Sequence, residues 1–410
     1  MILAAFRVRS FRFQWSADLL TSWAFEMETV VLGWYVMTQT GSVLLLTMFG
    51  SLQYVGTLVA PLFGVLGDRF GGRAMLRTMR AVYAALGAVL AALALTGPLT
   101  PWWVLAVAGF GGIVKPNDLA MRNTLIGATI PAGHLMGALG LSRATADSAR
   151  IFGALAGATL ASALSLGHTY LFVTAFYLVS LALTLGMSRA RPEPGAPARP
   201  GSALARTGRD LRAGLVHVAR TPTLVAMVLL AFLINLTAYP TTNGLLPYVA
   251  QRIYQTDATG LGWLVASYAT GGLLASIATV LTTGARHPER ATVVAVAAWY
   301  LALLIFGHMA SLGLGLVALV LAGFAQNVAV IGIAGTLLAR AEPAFRGRVM
   351  GVRTLAIYGL PLGLLMAGVL IDRLGFPWTN TLFALIGLML TGWIGFHWRD
   401  TLWHRRRARM

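Results

Sequence analysis

GVLGDRFGGR, residues 64–73, sets three charges and four glycines between two long apolar runs. VLLLTMFGSLQYVGTLVAPLF (43–63) precedes it and AMLRTMRAVYAALGAVLAALALTG (74–97) follows. Each run has the roughly 20 residues that cross a 30 Å hydrocarbon layer. Charges resist the centre of that layer, so the decapeptide reads as a tight turn at a membrane surface between two antiparallel spans. Its glycines let the backbone turn sharply and the flanking helices approach. Working outward, similar apolar stretches fall near 13–38, 43–66, 75–97, 102–126, 134–163, 169–188, 223–250, 259–283, 291–310, 312–338, 349–371 and 378–398. The expected fold is an all-α membrane protein of about twelve transmembrane helices. Composition agrees: 57% of the 410 residues are apolar, 11% are charged and none is Cys. Soluble domains carry about twice that charge, and the missing thiols exclude a disulfide scaffold or a thiolate metal site.

Formal net charge is +18, with 31 basic residues of which only Lys115 is not Arg. On a soluble protein such a surplus suggests nucleic acid, but here the charges are sorted. If the N-terminus is cytoplasmic, 25 of the 31 fall in the tails and the inward connections 67–80, 189–222, 284–291 and 339–353, while the opposite loops hold Arg252 and Arg373. The positive-inside rule then puts both termini in the cytoplasm, and no nucleic-acid partner is expected. The terminal HRRRARM is placed to touch anionic membrane lipid. Phe11–Trp15 runs directly into a full-length span, so no cleavable signal peptide is expected.

The longest connection divides the spans six and six. Expected domains are an N-terminal bundle (1–188), a cytoplasmic linker (189–222), a C-terminal bundle (223–398) and a basic tail (399–410). The linker opens Pro/Ala/Gly-rich and flexible. It then sets Leu204, Leu211, Leu215 and Val218 among arginines, the pattern of an amphipathic helix on the inner membrane face. Two six-helix halves about a cytoplasmic hinge suit alternating access around a midplane site.

GVLGDRFGGR also resembles the signature between helices 2 and 3 of the major facilitator superfamily, G-x-x-x-D-R-x-G-R-R. Gly64, Asp68, Arg69, Gly71 and Arg73 match it, and Gly72 stands where a basic residue is usual. FRFQWSADLLTSW (11–23), TVVLGWYVMTQTGS (29–42), ARIFGALAG (149–157), NLTAYPTTNGLLPYVAQ (235–251) and FRGRVMGVRTLAIYGLPLGLLMAG (345–368) are similar to the enterobactin-exporter-like branch, the transmembrane secretion effectors. The resemblance implies two pseudo-symmetric six-helix bundles, secondary transport and export. Two departures stand out. Ala154 occupies the place of the helix-5 proline that many exporters carry, and TTGARHPER (282–290) barely keeps the equivalent second-half latch.

Charges inside spans mark candidate sites. Glu26 and Glu28 lie midway along helix 1 with no cation nearby on that helix, so with Asp18 they are the proton-coupling candidates. Residues two apart point to different sides, and Glu26 leads because Asp18, Ser22 and Glu26 share one polar face. Trp23 beside them suits stacking on a flat substrate. Lys115, Asp118 and Arg122 form a stripe on helix 4, and Arg143, Asp147 and Arg150 form a stripe on helix 5. The two are mirror-placed about the intervening loop. An interhelical ion-pair ladder is therefore expected, with Lys115 or Arg150 as the alternative contact for an anionic substrate. Arg122, Arg143 and Asp147 join the signature residues as the inner-face gate. Neutral polar candidates for the cavity are Asn235, Tyr239, Asn243, Gln326, Asn327 and Tyr358, and Pro240 and Gly244 should bend or unwind helix 7.

No nucleophile elbow, phosphate loop or dinucleotide fingerprint is present, and no His pair has metal-ligand spacing. The chain is expected to be neither an enzyme nor a metalloprotein, to need no cofactor and to work as a monomer. The expected function is proton-coupled export of an amphipathic small molecule, either a drug-like cation or a siderophore-type anion. The alternatives are a proton-driven importer, or a non-transporting protein such as a lipid scramblase.

Overall fold

The computed structural model describes residues 6–57, 59–187, 203–281 and 288–403. The first part of the linker (188–202), the TTGARH of the second-half latch and the HRRRARM tail lie outside the described residues. Among the described residues the fold is all helix. The elements are α1 (Arg9–Thr40), α2 (Val43–Leu52), α3 (Ala60–Phe70), α4 (Gly72–Thr96), α5 (Pro101–Thr129), α6 (Ala132–Ala163) and α7 (Leu166–Leu185). Then come α8 (Ala203–Arg220), α9 (Pro222–Thr237), α10 (Tyr239–Asn243), α11 (Leu246–Tyr248), α12 (Ala258–Leu281), α13 (Pro288–Phe306) and α14 (Leu312–Arg340). α15 (Arg346–Leu355), α16 (Gly359–Leu374), α17 (Phe376–His397) and α18 (Arg399–Leu402) complete the chain.

Local chemistry sets the ends. Ser42 accepts from the Leu45 amide at 3.3 Å to cap α2, Pro101 and Pro222 open α5 and α9 where a missing N–H is harmless, and Gly41 and Gly97 close α1 and α4 at positive φ. Large apolar side chains stay exposed along the spans, among them Phe110, Leu321 and Met389. Exposed Trp102, Trp103, Trp378 and Trp393 stand at or near helix ends, as interfacial anchors do.

Seven stretches of described chain are each long and apolar enough to cross a membrane: α4, α7, α12, α13, α14, residues 343–374 and α17. The other expected spans fall short for two physical reasons. α1, α5 and α6 carry interior charges, and the remaining two are broken. Residues 43–66, expected as one span, are α2 and α3 separated by a short 3-10 turn, Val55–Thr57. The break sits where α5 presses in. A Cβ on Gly112 would stand 2.0 Å from the Leu52 carbonyl oxygen, and one on Gly56 would stand 2.1 Å from that of Ile113. The Gly56 carbonyl at the break accepts from the Val59 amide at 3.2 Å and from Asn117 Nδ2 of α5 at 3.0 Å, so the turn's own hydrogen bond is joined by one from the helix packed against it. Helix 7 does unwind at AYPTTNG: α9 stops at Thr237, α10 and α11 are single turns, and a π-turn, Val249–Ile253, ends the run. The 349–371 span is likewise interrupted by a 3-10 turn at Ala356–Tyr358.

Two compact units result, one of residues 1–204 with 255–266 and the other of 205–254 with 267–410. In the first, α1 is the central helix, packed on α6, α7, α5 and α2. Its contact with α6 rests on Gly153 and Gly157 of the ARIFGALAG segment. A Cβ on Gly157 would stand 2.8 Å from Met27 Cα, and one on Gly153 would stand 3.0 Å from the Trp23 carbonyl oxygen. In the second unit, α12 and α14 cross at Gly271 and Gly323, where an added Cβ would meet the opposite backbone at 2.0 Å. Small residues bring the backbones together in both places.

Candidate functional site

The first unit encloses a network of charges, and the helices that hold it are those carrying the sequence's intramembrane acids. Asp18 of α1 is ion-paired with Arg80 of α4, and Arg122 of α5 lies 3.5 Å from the same carboxylate. Arg122 also pairs with Asp118 one turn away on its own helix, and donates to Ser22 Oγ at 2.8 Å and to the Asp18 carbonyl at 3.1 Å. Arg80, fully buried, donates to Thr184 of α7. Gln14 closes this end, donating to the Arg122 carbonyl at 3.0 Å. Nearly three turns beyond Asp18 on α1, Glu28 accepts from Lys115 Nζ at 2.7 Å and from the Tyr177 hydroxyl at 2.7 Å. Glu26, on the other side of α1, faces Arg150 of α6 at 3.8 Å.

Four acids thus face four bases: Asp18, Glu26, Glu28 and Asp118 against Arg80, Lys115, Arg122 and Arg150. Their accessibility is graded. The side chains of Asp18, Asp118, Arg80 and Arg122 are at most 5% exposed, whereas Glu26 is 27% and Arg150 38% exposed. Aromatic rings border the open end. Trp23, one turn before Glu26, stacks on Phe152 at 6.1 Å and meets Phe176 edge-on at 6.5 Å.

These positions bear on four expectations. The two triplets do not form a ladder with each other, because α1 lies against both helices and α5 and α6 barely touch. Lys115 and Arg122 reach the acids of α1, and Arg150 reaches Glu26. Arg143 and Asp147 pair within α6 at 3.2 Å, with Arg143 largely exposed. Second, helix 1 itself supplies no cation near Glu26 or Glu28, as expected, and Arg150 and Lys115 reach them from neighbouring helices. Third, Asp18 and Ser22 do share a face, but that face meets Arg80 and Arg122. Fourth, Arg80, assigned from sequence to the inward connection 67–80, is in the interior of α4. The signal for α4 was its placement more than two turns beyond Gly71. For α7 it was Thr174, Tyr177, Ser180 and Thr184, a polar stripe at helical spacing in an apolar span, all buried.

Of the turn residues, Arg73 donates to the carbonyls of Thr184 and Leu185 at the end of α7, and Gly71 has φ +83°. The side chains of Gly64, Asp68 and Arg69 lie outside the described residues. In the second unit, Gln326 Nε2 donates to the Tyr239 hydroxyl at 2.8 Å, and that ring meets Trp299 edge-on at 4.9 Å. Asn327 donates to the Gly272 carbonyl and to Ser276 of α12. Asn235 turns back to the Ala231 carbonyl at 2.8 Å. Asn243 ends α10 beside the unwound Gly244, and Tyr358 ends the 3-10 turn before α16.

The sequence profile of the Major Facilitator Superfamily matches residues 15–247. The chain belongs to this superfamily, and it is therefore a multi-pass secondary transporter of small molecules. Solved structures share the fold over nearly the whole chain. The human organic anion transporter MFSD10 is 20% identical with a TM-score of 0.66, covering 94% of this chain and 99% of its own. A bacterial homologue of the human lysosomal transporter Spinster, inward-facing and unoccupied, is 15% identical with a TM-score of 0.71, covering 95% and 97%. The nucleoside transporter NupG is 15% identical with a TM-score of 0.73, covering 96% and 100%. No curated protein sequence matches the chain.

Proposed function

We propose that this chain is a proton-coupled transporter of an amphipathic organic anion, with Glu26 and Arg150 as the exchange pair. Alternating access would take place in a bacterial inner membrane, with both termini cytoplasmic and the protein monomeric. The observation that carries the proposal is the contrast between Glu26–Arg150 and the rest of the network. At 3.8 Å it is the longest of the interior pairs, and both its side chains are partly exposed. The other acids are held at full burial by two partners each or by an adjacent turn.

Charge balance then selects the substrate. The interior is neutral, so a charged substrate must replace an internal partner. An anion that takes Arg150 releases Glu26, and Glu26 stays in the interior at little cost by accepting a proton. A cation that takes Glu26 releases Arg150, whose guanidinium cannot give up its proton. Anion and proton therefore bind together, and Trp23 and Phe152 offer rings to the apolar part of the ligand. Substrate and proton travel the same way, so an inward proton gradient drives uptake.

Export of a cation, which joins the direction implied by the sequence resemblance to one of the two expected substrate classes, has one specific observation in its favour. Asp147 lies one turn before Arg150 on α6, and its side chain is 20% exposed. Arg150 could turn to Asp147 and leave Glu26 to a cation or a proton in alternation. The pH dependence of binding separates the two readings. Uptake of one proton with the ligand strengthens anion binding by up to about tenfold per pH unit as pH falls, whereas competition with a proton strengthens cation binding as pH rises. In proteoliposomes, an imposed inward proton gradient should drive accumulation of an aromatic carboxylate. Accumulation of an aromatic ammonium under an outward proton gradient would replace this reading with the exporter.

A further inference from the structure

α8 takes no part in the transport site, and its surface is built for something else. Arg209, Arg212, Val216 and Arg220 follow one another at steps of three or four residues, with His217 beside Val216, and so share one helix face. With Phe345 they line a cavity of about 350 Å³. Three contacts fix this helix to the short turn that follows α14 and to the start of α15. The His217 ring stacks on Phe345 at 4.4 Å with the planes 8° apart, and Arg348 Nε donates to Asp210 Oδ1 at 2.9 Å. Gly214 lies so close that an added Cβ would stand 2.8 Å from the Arg348 carbonyl oxygen. Asp210 is matched by Arg348, and among the described residues Arg212 and Arg220 form no ion pair. The cavity therefore carries unbalanced positive charge on a fixed frame.

Its position defines the ligand. The chain turns by 112° between α8 and α9, the first helix of the seventh span, so α8 runs across the end of that span instead of continuing it. Leu215 and Val216, 46% and 44% exposed, stand between the two arginines. We propose that this cavity binds the phosphate headgroup of an anionic membrane lipid. Arg212 and Arg220 take the phosphate, Phe345 forms the floor, and the exposed Leu215 and Val216 meet acyl carbon. Free phosphate shares the headgroup chemistry but has no use for that apolar surface.

The test is thermal unfolding of the detergent-purified full chain with dioleoyl phosphatidylglycerol, dioleoyl phosphatidylcholine or inorganic phosphate. Phosphatidylglycerol should raise the melting temperature, and the other two should not. Arg212→Gln/Arg220→Gln should lose the rise while melting like the parent without lipid, because both side chains are exposed. Val216→Glu, which puts a carboxylate into the cavity and leaves both arginines in place, should lose it too. Arg399→Gln, at an exposed arginine elsewhere in the same unit, should keep it. An equal rise with phosphatidylcholine, a rise surviving in both cavity variants, or its loss in Arg399→Gln would overturn the site. An equal rise with inorganic phosphate would overturn the lipid as its ligand.

Discussion

Arg80 holds the interior of the first unit together. Fully buried, it supplies a cation to Asp18 and a donor to Thr184, joining α1, α4 and α7. Its removal leaves four interior acids against three bases, and breaking a buried pair from one side costs about 3–5 kcal/mol. Arg80→Met should therefore lower the unfolding temperature sharply, while Arg143→Gln, at an exposed pair, should change stability by less than about 1 kcal/mol. Equal melting of the two would show that the network does not hold the fold. At this scale the acids were legible in the sequence, because a carboxylate inside an apolar run has few innocent explanations. Their partners were not. A cation two turns into a helix looks like a loop charge until the start of the helix is placed, and Arg80 was misplaced for that reason. The triplets on α5 and α6 were correctly read as stripes, but spacing along a helix does not say which helix lies opposite.

Individual helices depart from regularity where their backbones approach or open. Gly112 has no room for a side chain beside Leu52, so Gly112→Val should abolish accumulation of folded protein. Gly127, with nothing within 4 Å of an added Cβ, sits in the same helix. Gly127→Ala should leave expression intact and raise stability by about 0.5–1 kcal/mol through the helix propensity of Ala. A second check is Asn117, whose amide caps the carbonyl of Gly56 at the break between α2 and α3. Asn117→Ala should cost about 0.5–1.5 kcal/mol, the net worth of one hydrogen bond, because the Gly56 carbonyl keeps the Val59 amide; the readout is a lower melting temperature. Unwinding of AYPTTNG was legible, since Pro240 and Gly244 fall within five residues. The break in 43–66 was not, because Gly56 signals nothing until Gly112 of another helix is seen against Leu52.

For the whole molecule, the apolar runs and the turn at 64–73 were sufficient to define an all-helical transporter fold, because lipid permits so few alternatives to a satisfied helix. Substrate and coupling depend on which charges face one another across helices, and a one-dimensional pattern does not contain that. In the proposed mechanism, the interior's four-to-four balance ties anion to proton. It predicts how Glu26→Gln behaves: the neutral amide stands in for the protonated acid, so Arg150 is always open to an anion. The measurement is thermal unfolding of wild type, Glu26→Gln and Arg150→Gln with naphthoate or naphthyltrimethylammonium, at pH 6 and pH 8. A ligand at 100 times its Kd adds about 2.7 kcal/mol of stability, well within reach of a melt. Naphthoate should stabilise wild type more at pH 6 than at pH 8, stabilise Glu26→Gln equally at both, and leave Arg150→Gln unmoved. Stabilisation by naphthyltrimethylammonium instead, stronger at pH 8 and lost in Glu26→Gln, would contradict the anion–proton pairing.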